Sequence, residues 1–173
     1  MKGIKKGSDT VMNHEFHTVR GYQLLEQNKQ HLTSAMEDYL EMIYRNSMEE
    51  GYIRIGKLAM LLNVKAPSAS KMVNKLSEVG LLKFEKYGTI ILNDDGREIG
   101  HYLLKRHLYL EEFLRLIGCE ANILQLTELI EHDVNPQLLK KIRILSKFFL
   151  DHPEYMQKFD DYRRRYLKEK LEE

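Results

Sequence analysis

Asp38 and Glu41 stand three positions apart, and on a helix that spacing sends both carboxylates out of one face within a single turn. Glu128, Glu131 and His132 repeat the pattern further along, adding an imidazole to the carboxylates, and His107 lies between the two groups in the chain. If the elements that carry them pack together, they offer a mostly oxygen site with one or two imidazoles, a donor set that suits manganese or ferrous iron. The lack of a thiolate among them argues against a structural zinc site. Taken alone, each cluster reads as a solvated helix face, the usual fate of neighbouring carboxylates.

Charge is unevenly spread behind a formal net charge of only +1. Between Arg54 and Lys86 the bases Arg54, Lys57, Lys65, Lys71, Lys75, Lys83 and Lys86 face only Glu78 and Glu85. Between Asp94 and Asp133 the acids outnumber the bases. A basic stretch followed by an acidic one points to one face for a polyanion and another for cations. Cys119 is the only cysteine, which excludes an internal disulfide framework and fits a reducing compartment, so the cytoplasm is expected. Met1 to Asn13 holds Lys2, Lys5 and Lys6 but no signal-like apolar run, and no stretch is apolar enough to span a bilayer.

These residues must be positioned by the elements around them. Residues 1–32 read as a loose arm ending in a short helix around Phe16, Val19, Tyr22, Leu24 and Leu25. Thr33 and Ser34 then precede Met36, Tyr39, Leu40, Ile43 and Tyr44, apolar residues at helical spacing behind an N-cap. After Gly51, a short strand-like entry and a second short helix run through Ile53 to Leu62. A third helix starts at Ala66-Pro67-Ser68, buries Ala69, Met72, Val73, Leu76 and Val79, and stops at Gly80. Leu82 to Tyr87 and Thr89 to Leu92 flank Gly88 as two strands of a hairpin.

Three helices and a hairpin in this order predict a winged helix-turn-helix over 33–93, whose third helix enters the major groove while the hairpin reaches the backbone. Pro67, Ser68, Ser70, Lys71, Asn74 and Lys75 on that helix, with Lys83, Lys86 and Tyr87 on the hairpin, are the expected DNA contacts. Asn93-Asp94-Asp95 caps a long helix ended by Gly118, and two amphipathic helices follow, separated by Asn135-Pro136. This places a metal-binding and dimerisation domain at 94–151 and a last helix, opened by Pro153, at 152–173. The fold class is mainly α, with a winged helix-turn-helix joined by a long helix to an all-helical second domain.

Several motifs in register carry a likeness to a known family. Ser34-Ala35-Met36-Glu37-Asp38-Tyr39-Leu40-Glu41-Met42-Ile43-Tyr44, Lys71-Met72-Val73, Glu85-Lys86-Tyr87, Arg106-His107 with Phe113-Leu114-Arg115, and Ile130-Glu131-His132 all stand in the order and spacing of that family. Together they resemble the diphtheria toxin repressor family, in its manganese transport regulator branch, over roughly residues 33–150. The resemblance implies a homodimeric, cytoplasmic transcriptional repressor of metal uptake genes that binds an operator in double-stranded DNA and performs no enzymatic step. It implies that Asp38, Glu41, His107, Glu128, Glu131 and His132 form a two-metal site, with Glu41 and Glu128 as bridges. Iron-type members carry methionine and cysteine where this chain has Asp38 and Glu128, so the harder ligands point to Mn2+, with Fe2+ as the alternative. Leu124 replaces the histidine of a further site in those members, despite the His107 to Glu111 spacing, and the chain has no room for their SH3-like third domain.

Other residues invite weaker readings. His14 and His17 lie in the arm, and Glu98 with His101 has a di-iron spacing but no second pair to complete it. Met42, Met60 and Met72 are expected as core filler, Cys119 as a small packing residue, and Arg163 to Arg165 as a solvated face, with a phosphate or partner contact as the sharper option. Two rival functions stand beside the repressor. A binuclear metalloenzyme leaves the basic helix and hairpin unexplained, and a winged-helix regulator answering to a small ligand leaves the ligand-type residues unexplained.

Overall fold

The computed structural model describes residues 19–28 and 31–171 and divides the chain into two compact units, one ending at Lys105 and one beginning at Arg106. Among the described residues the helices are α1 (19–27), α2 (Ser34–Ser47), α3 (Ile55–Leu61), α4 (Ala66–Glu78), α5 (Asp94–Leu116), α6 (Ile123–Glu131), α7 (Pro136–Asp151) and α8 (Pro153–Leu171). Three short strands, β1 (Ile53–Arg54), β2 (Leu82–Phe84) and β3 (Thr89–Leu92), form an antiparallel sheet in the order β1-β3-β2.

In the first unit, local signals start and stop the helices where the sequence places them. The Thr33 hydroxyl accepts the amide hydrogen of Met36 at 3.4 Å and caps α2. Pro67 sits in the first turn of α4, where its missing N–H costs nothing. Asn63, at φ 51°, turns the chain in the left-handed region between α3 and α4. Leu40, Ile43, Leu58, Ala69, Val73, Leu76, Ile90 and Ile99 are fully buried and make a single core from α2, α3, α4, the sheet and the start of α5. The Asn93 side chain accepts from the Gly96 amide at 2.8 Å and caps α5. Gly96 allows a close approach there, because a Cβ at that position would fall 1.9 Å from the carbonyl oxygen of Leu81.

Two expectations need correction. The first strand of the hairpin ends at Phe84, and Lys86–Gly88 forms a 3-10 turn, because Tyr87 takes φ 62°, outside the extended region a strand requires. Met60 is 73% exposed on α3, while Met42 and Met72 are half-buried, so Met60 is no core filler. A seven-residue helix has few positions facing inward, and Leu58 and Ala59 take them. The short helix expected at the end of the arm is present as α1, while most of the arm before it lies outside the described residues. In α1, Gly21 lies against the Glu98 carbonyl and the Tyr102 Cβ, and the Tyr22 and Tyr102 rings stand 5.8 Å apart. Phe16, His14 and His17 lie outside the described residues.

Helices are the only regular elements among the described residues of the second unit, joined by short turns. Asn135 caps α7 by accepting from Leu138 N at 2.9 Å. The α7 and α8 helices join through aromatic pairs, among them Phe149 with Phe159 at 5.6 Å and Phe148 with Tyr155 at 5.4 Å. Arg143 of α7 lies 4.4 Å over the ring of Tyr109 on α5. Arg163 departs from the expected solvated face. It is half-buried, donates to the Ile117 carbonyl at 3.1 Å near the end of α5, and pairs with Asp160, whereas Arg164 and Arg165 stay exposed. Cys119 is half-buried and free, its amide bonded to the Leu114 carbonyl at 2.9 Å.

Candidate metal centre and nucleic-acid interface

In the first unit, α2 buries Met36, Tyr39, Leu40 and Ile43. The helical period leaves Asp38 and Glu41 half-buried at the margin of that face, one turn apart as their spacing predicts. Glu41 pairs with Arg45 one turn further on, which holds its carboxylate in a defined rotamer. Nearby, the Tyr44 hydroxyl and His101 Nδ1 are 3.0 Å apart with the rings edge to face. Burial and then the charge of Glu98 raise the Tyr44 phenol above its usual 10, so it stays neutral and shares a hydrogen bond with His101. His101 thereby takes part in the packing of α2 against α5.

In the second unit, α5 and α6 bring a different set together. His107 Nδ1 lies 3.2 Å from Glu131 Oε2, and the two side chains are only 6% and 2% exposed. Arg106, also buried, places Nη2 3.3 Å from Nδ1 of His132 at the C-cap of α6. Glu128 lies one turn before Glu131 on the same helix but is exposed. The hydrophobic side of α6 explains the contrast, since Ile123, Thr127 and Glu131 follow one another at helical spacing on the buried face and Glu128 falls outside it. Buried carboxylates need a partner, and a carboxylate joined to an imidazole is a common support for a metal ligand. The oxygen and imidazole donors, with no sulfur, fit a divalent cation such as manganese or iron. Arg106 stands in the sequence only as part of the Arg106-His107 motif, which gives it no role at the site.

The residues expected to face a polyanion lie on α4, on β2 and in the turn after β2. Pro67, Ser68, Lys71, Asn74 and Lys75 are exposed along α4, with Ser70 half-buried. Ala69, Val73 and Leu76 occupy the opposite, fully buried side. Lys83 and Lys86 are exposed beyond them, and Tyr87 is 92% exposed at the tip. An aromatic side chain displayed by a left-handed backbone residue is a rare arrangement for a non-glycine residue. Lysine side chains of this kind are able to contact phosphates, and serine and asparagine side chains carry hydrogen-bonding groups of the kind that read base edges.

Comparison with known proteins agrees with this division of labour. A family model described as "Iron dependent repressor, N-terminal DNA binding domain" matches residues 31–90. A second, "Iron dependent repressor, metal binding and dimerisation domain", matches residues 93–160. The chain is 40% identical over 134 residues to the HTH-type transcriptional regulator MntR of Geobacillus kaustophilus, covering 77% of this chain and 95% of that protein. To the regulator of the same name from Bacillus pumilus it is 42% identical over 123 residues, 70% of this chain and 85% of the relative. Among solved structures, ScaR with bound Zn2+ superposes with a TM-score of 0.53 at 27% identity, over 65% of this chain and 54% of that one.

Proposed function

Because the chain belongs to the diphtheria toxin repressor, or iron-dependent repressor, family in its manganese transport regulator branch, we propose that Mn2+ is the ion that switches it on and that His107, Glu128, Glu131 and His132 hold that ion with Asp38 and Glu41. It is a metal-dependent DNA-binding transcriptional repressor. The observation that carries the proposed site is the buried His107 and Glu131 pair on α5 and α6, within the segment matched by the metal-binding family model.

In this reading two ions sit in each subunit, with Glu41 and Glu128 as bridges. A bound divalent cation neutralises carboxylates that would otherwise repel one another. His107 and Glu131 are prearranged by their mutual hydrogen bond, so the second unit contributes a site held partly in shape before metal arrives. Metal lowers the conformational freedom of the chain and favours the arrangement in which α4 of each subunit meets one half-site. A homodimer is supported by the apolar side chains that the second unit leaves outside, including Leu124, Leu129, Leu138 and Ile144, 46% to 75% exposed.

The partner on this reading is an operator in double-stranded DNA, with no small-molecule substrate and no catalytic step, and the cytoplasm is the compartment. No described helix is long and apolar enough to cross a membrane. A gel shift titrated with Mn2+ tests the proposal. Metal-dependent binding is the expected result, and binding of equal strength after chelation would overturn the switch.

A further inference from the structure

His107 and His132 meet opposite hydrogen-bond partners at Nδ1, an acceptor in one case and a donor in the other. His107 Nδ1 faces Glu131 Oε2 at 3.2 Å. A carboxylate oxygen accepts, so Nδ1 of His107 carries a proton. His132 Nδ1 faces Arg106 Nη2 at 3.3 Å. A guanidinium only donates, so Nδ1 must hold the lone pair, and Arg106 already occupies it.

We infer that Arg106 is a resident cation of the metal centre, whose hydrogen bond to His132 has to break before His132 can bind a metal. This rests on the reading of His132 as a ligand. A neutral imidazole has one lone pair, and two claimants meet at it. If the metal takes Nδ1, it displaces the guanidinium directly. If it takes Nε2, the proton moves to Nδ1 and points at an Arg106 N–H, so donor faces donor and the contact is lost as well. Either route moves Arg106, a side chain only 3% exposed.

The arrangement has a use. While the site lacks metal, the buried guanidinium gives the His132 ring a hydrogen-bond partner at the C-cap of α6. The same cation opposes the incoming ion, both by charge and by holding the lone pair, and so lowers the affinity and raises the metal concentration needed for a response. Arg106 thus sets a threshold, and does so from outside the ligand set.

Two measurements test this. In full-length wild type labelled with nitrogen-15, titration with diamagnetic Cd2+ as a stand-in for Mn2+ should move the Arg106 guanidinium signals together with the His132 ring nitrogens, at the same occupancy. In R106M, calorimetric titration with Mn2+ should show about five-fold tighter binding, the worth of one net hydrogen bond removed from the competing state. If R106M does not fold, the wild-type spectra decide alone. Arg106 signals that stay fixed while His132 responds, or R106M binding no tighter than wild type, would overturn the inference. A wild-type protein whose His132 answers to no metal removes the ligand reading and this inference with it.

Discussion

His107 Nδ1 and Glu131 Oε2 stand 3.2 Å apart in a setting where neither side chain is more than 6% exposed. A carboxylate so deeply placed on α6 is tolerated because its partner on α5 is equally buried, and removing His107 takes that partner from Glu131. Glu128, one turn earlier, is exposed and carries no such structural duty.

The two carboxylates of α6 should therefore separate stability from switching. H107A should destabilise the metal-free protein by roughly 3 kcal/mol, since it strands Glu131. E128A should change that stability by no more than about 0.5 kcal/mol, as substitutions at exposed positions generally do. Both should lose Mn2+-dependent DNA binding while E128A remains a dimer, checked by thermal melts, sedimentation and gel shift. Normal Mn2+-stimulated binding by E128A would remove it from the ligand set.

On α4, the exposed lysines should act through phosphates. K71A and K75A should each weaken DNA binding and reduce the slope of log affinity against log salt by about one unit. Metal binding should be unaffected, because both side chains point away from the core that Ala69, Val73 and Leu76 fill. An unchanged salt slope in both variants would mean that another element faces the DNA.

Metal choice follows from ligand hardness at Asp38. D38M puts a thioether where the wild type has an oxygen, and thioethers favour softer ions. Wild type should be driven onto DNA by Mn2+ at least as well as by Fe2+, whereas D38M should lose that preference and respond better to iron. Anaerobic gel shifts with each ion, scored separately from metal affinity, measure it. Activation of the wild type by iron alone would leave a repressor tuned to iron.

At the junction of the sheet with α5, Gly96 is predicted to be irreplaceable. A Cβ there would meet the Leu81 carbonyl oxygen at 1.9 Å, and backbone cannot yield as a flexible side chain can. G96A should cost about 1–3 kcal/mol, the range for overpacking, although alanine is the better helix former. Chemical denaturation gives the number, and a variant as stable as wild type would show that the β2 approach is adjustable.

Much of this protein is written locally in its sequence. The order of helices follows from apolar residues at helical spacing, and their ends follow from Thr33, Asn93, Asn135 and Pro67, each of which acts within four residues of its own position. The spacing of Asp38 from Glu41 fixes their common face in the same way, because a helix turns by a constant amount per residue. Hence the winged-helix order and the family likeness were both legible from the residues.

Contacts between distant segments were not legible. Nothing near Arg106 says that it will be buried beside His132, twenty-six residues away, or that Arg163 will reach the Ile117 carbonyl across forty-six. Tyr87 reads as a strand residue by its type, and only the closure of the turn between β2 and β3 forces it to φ 62°. Periodicity likewise gave Glu128 and Glu131 as equals. The packing of α6 separated them, because burial depends on what a helix rests against, and that partner comes from elsewhere in the chain.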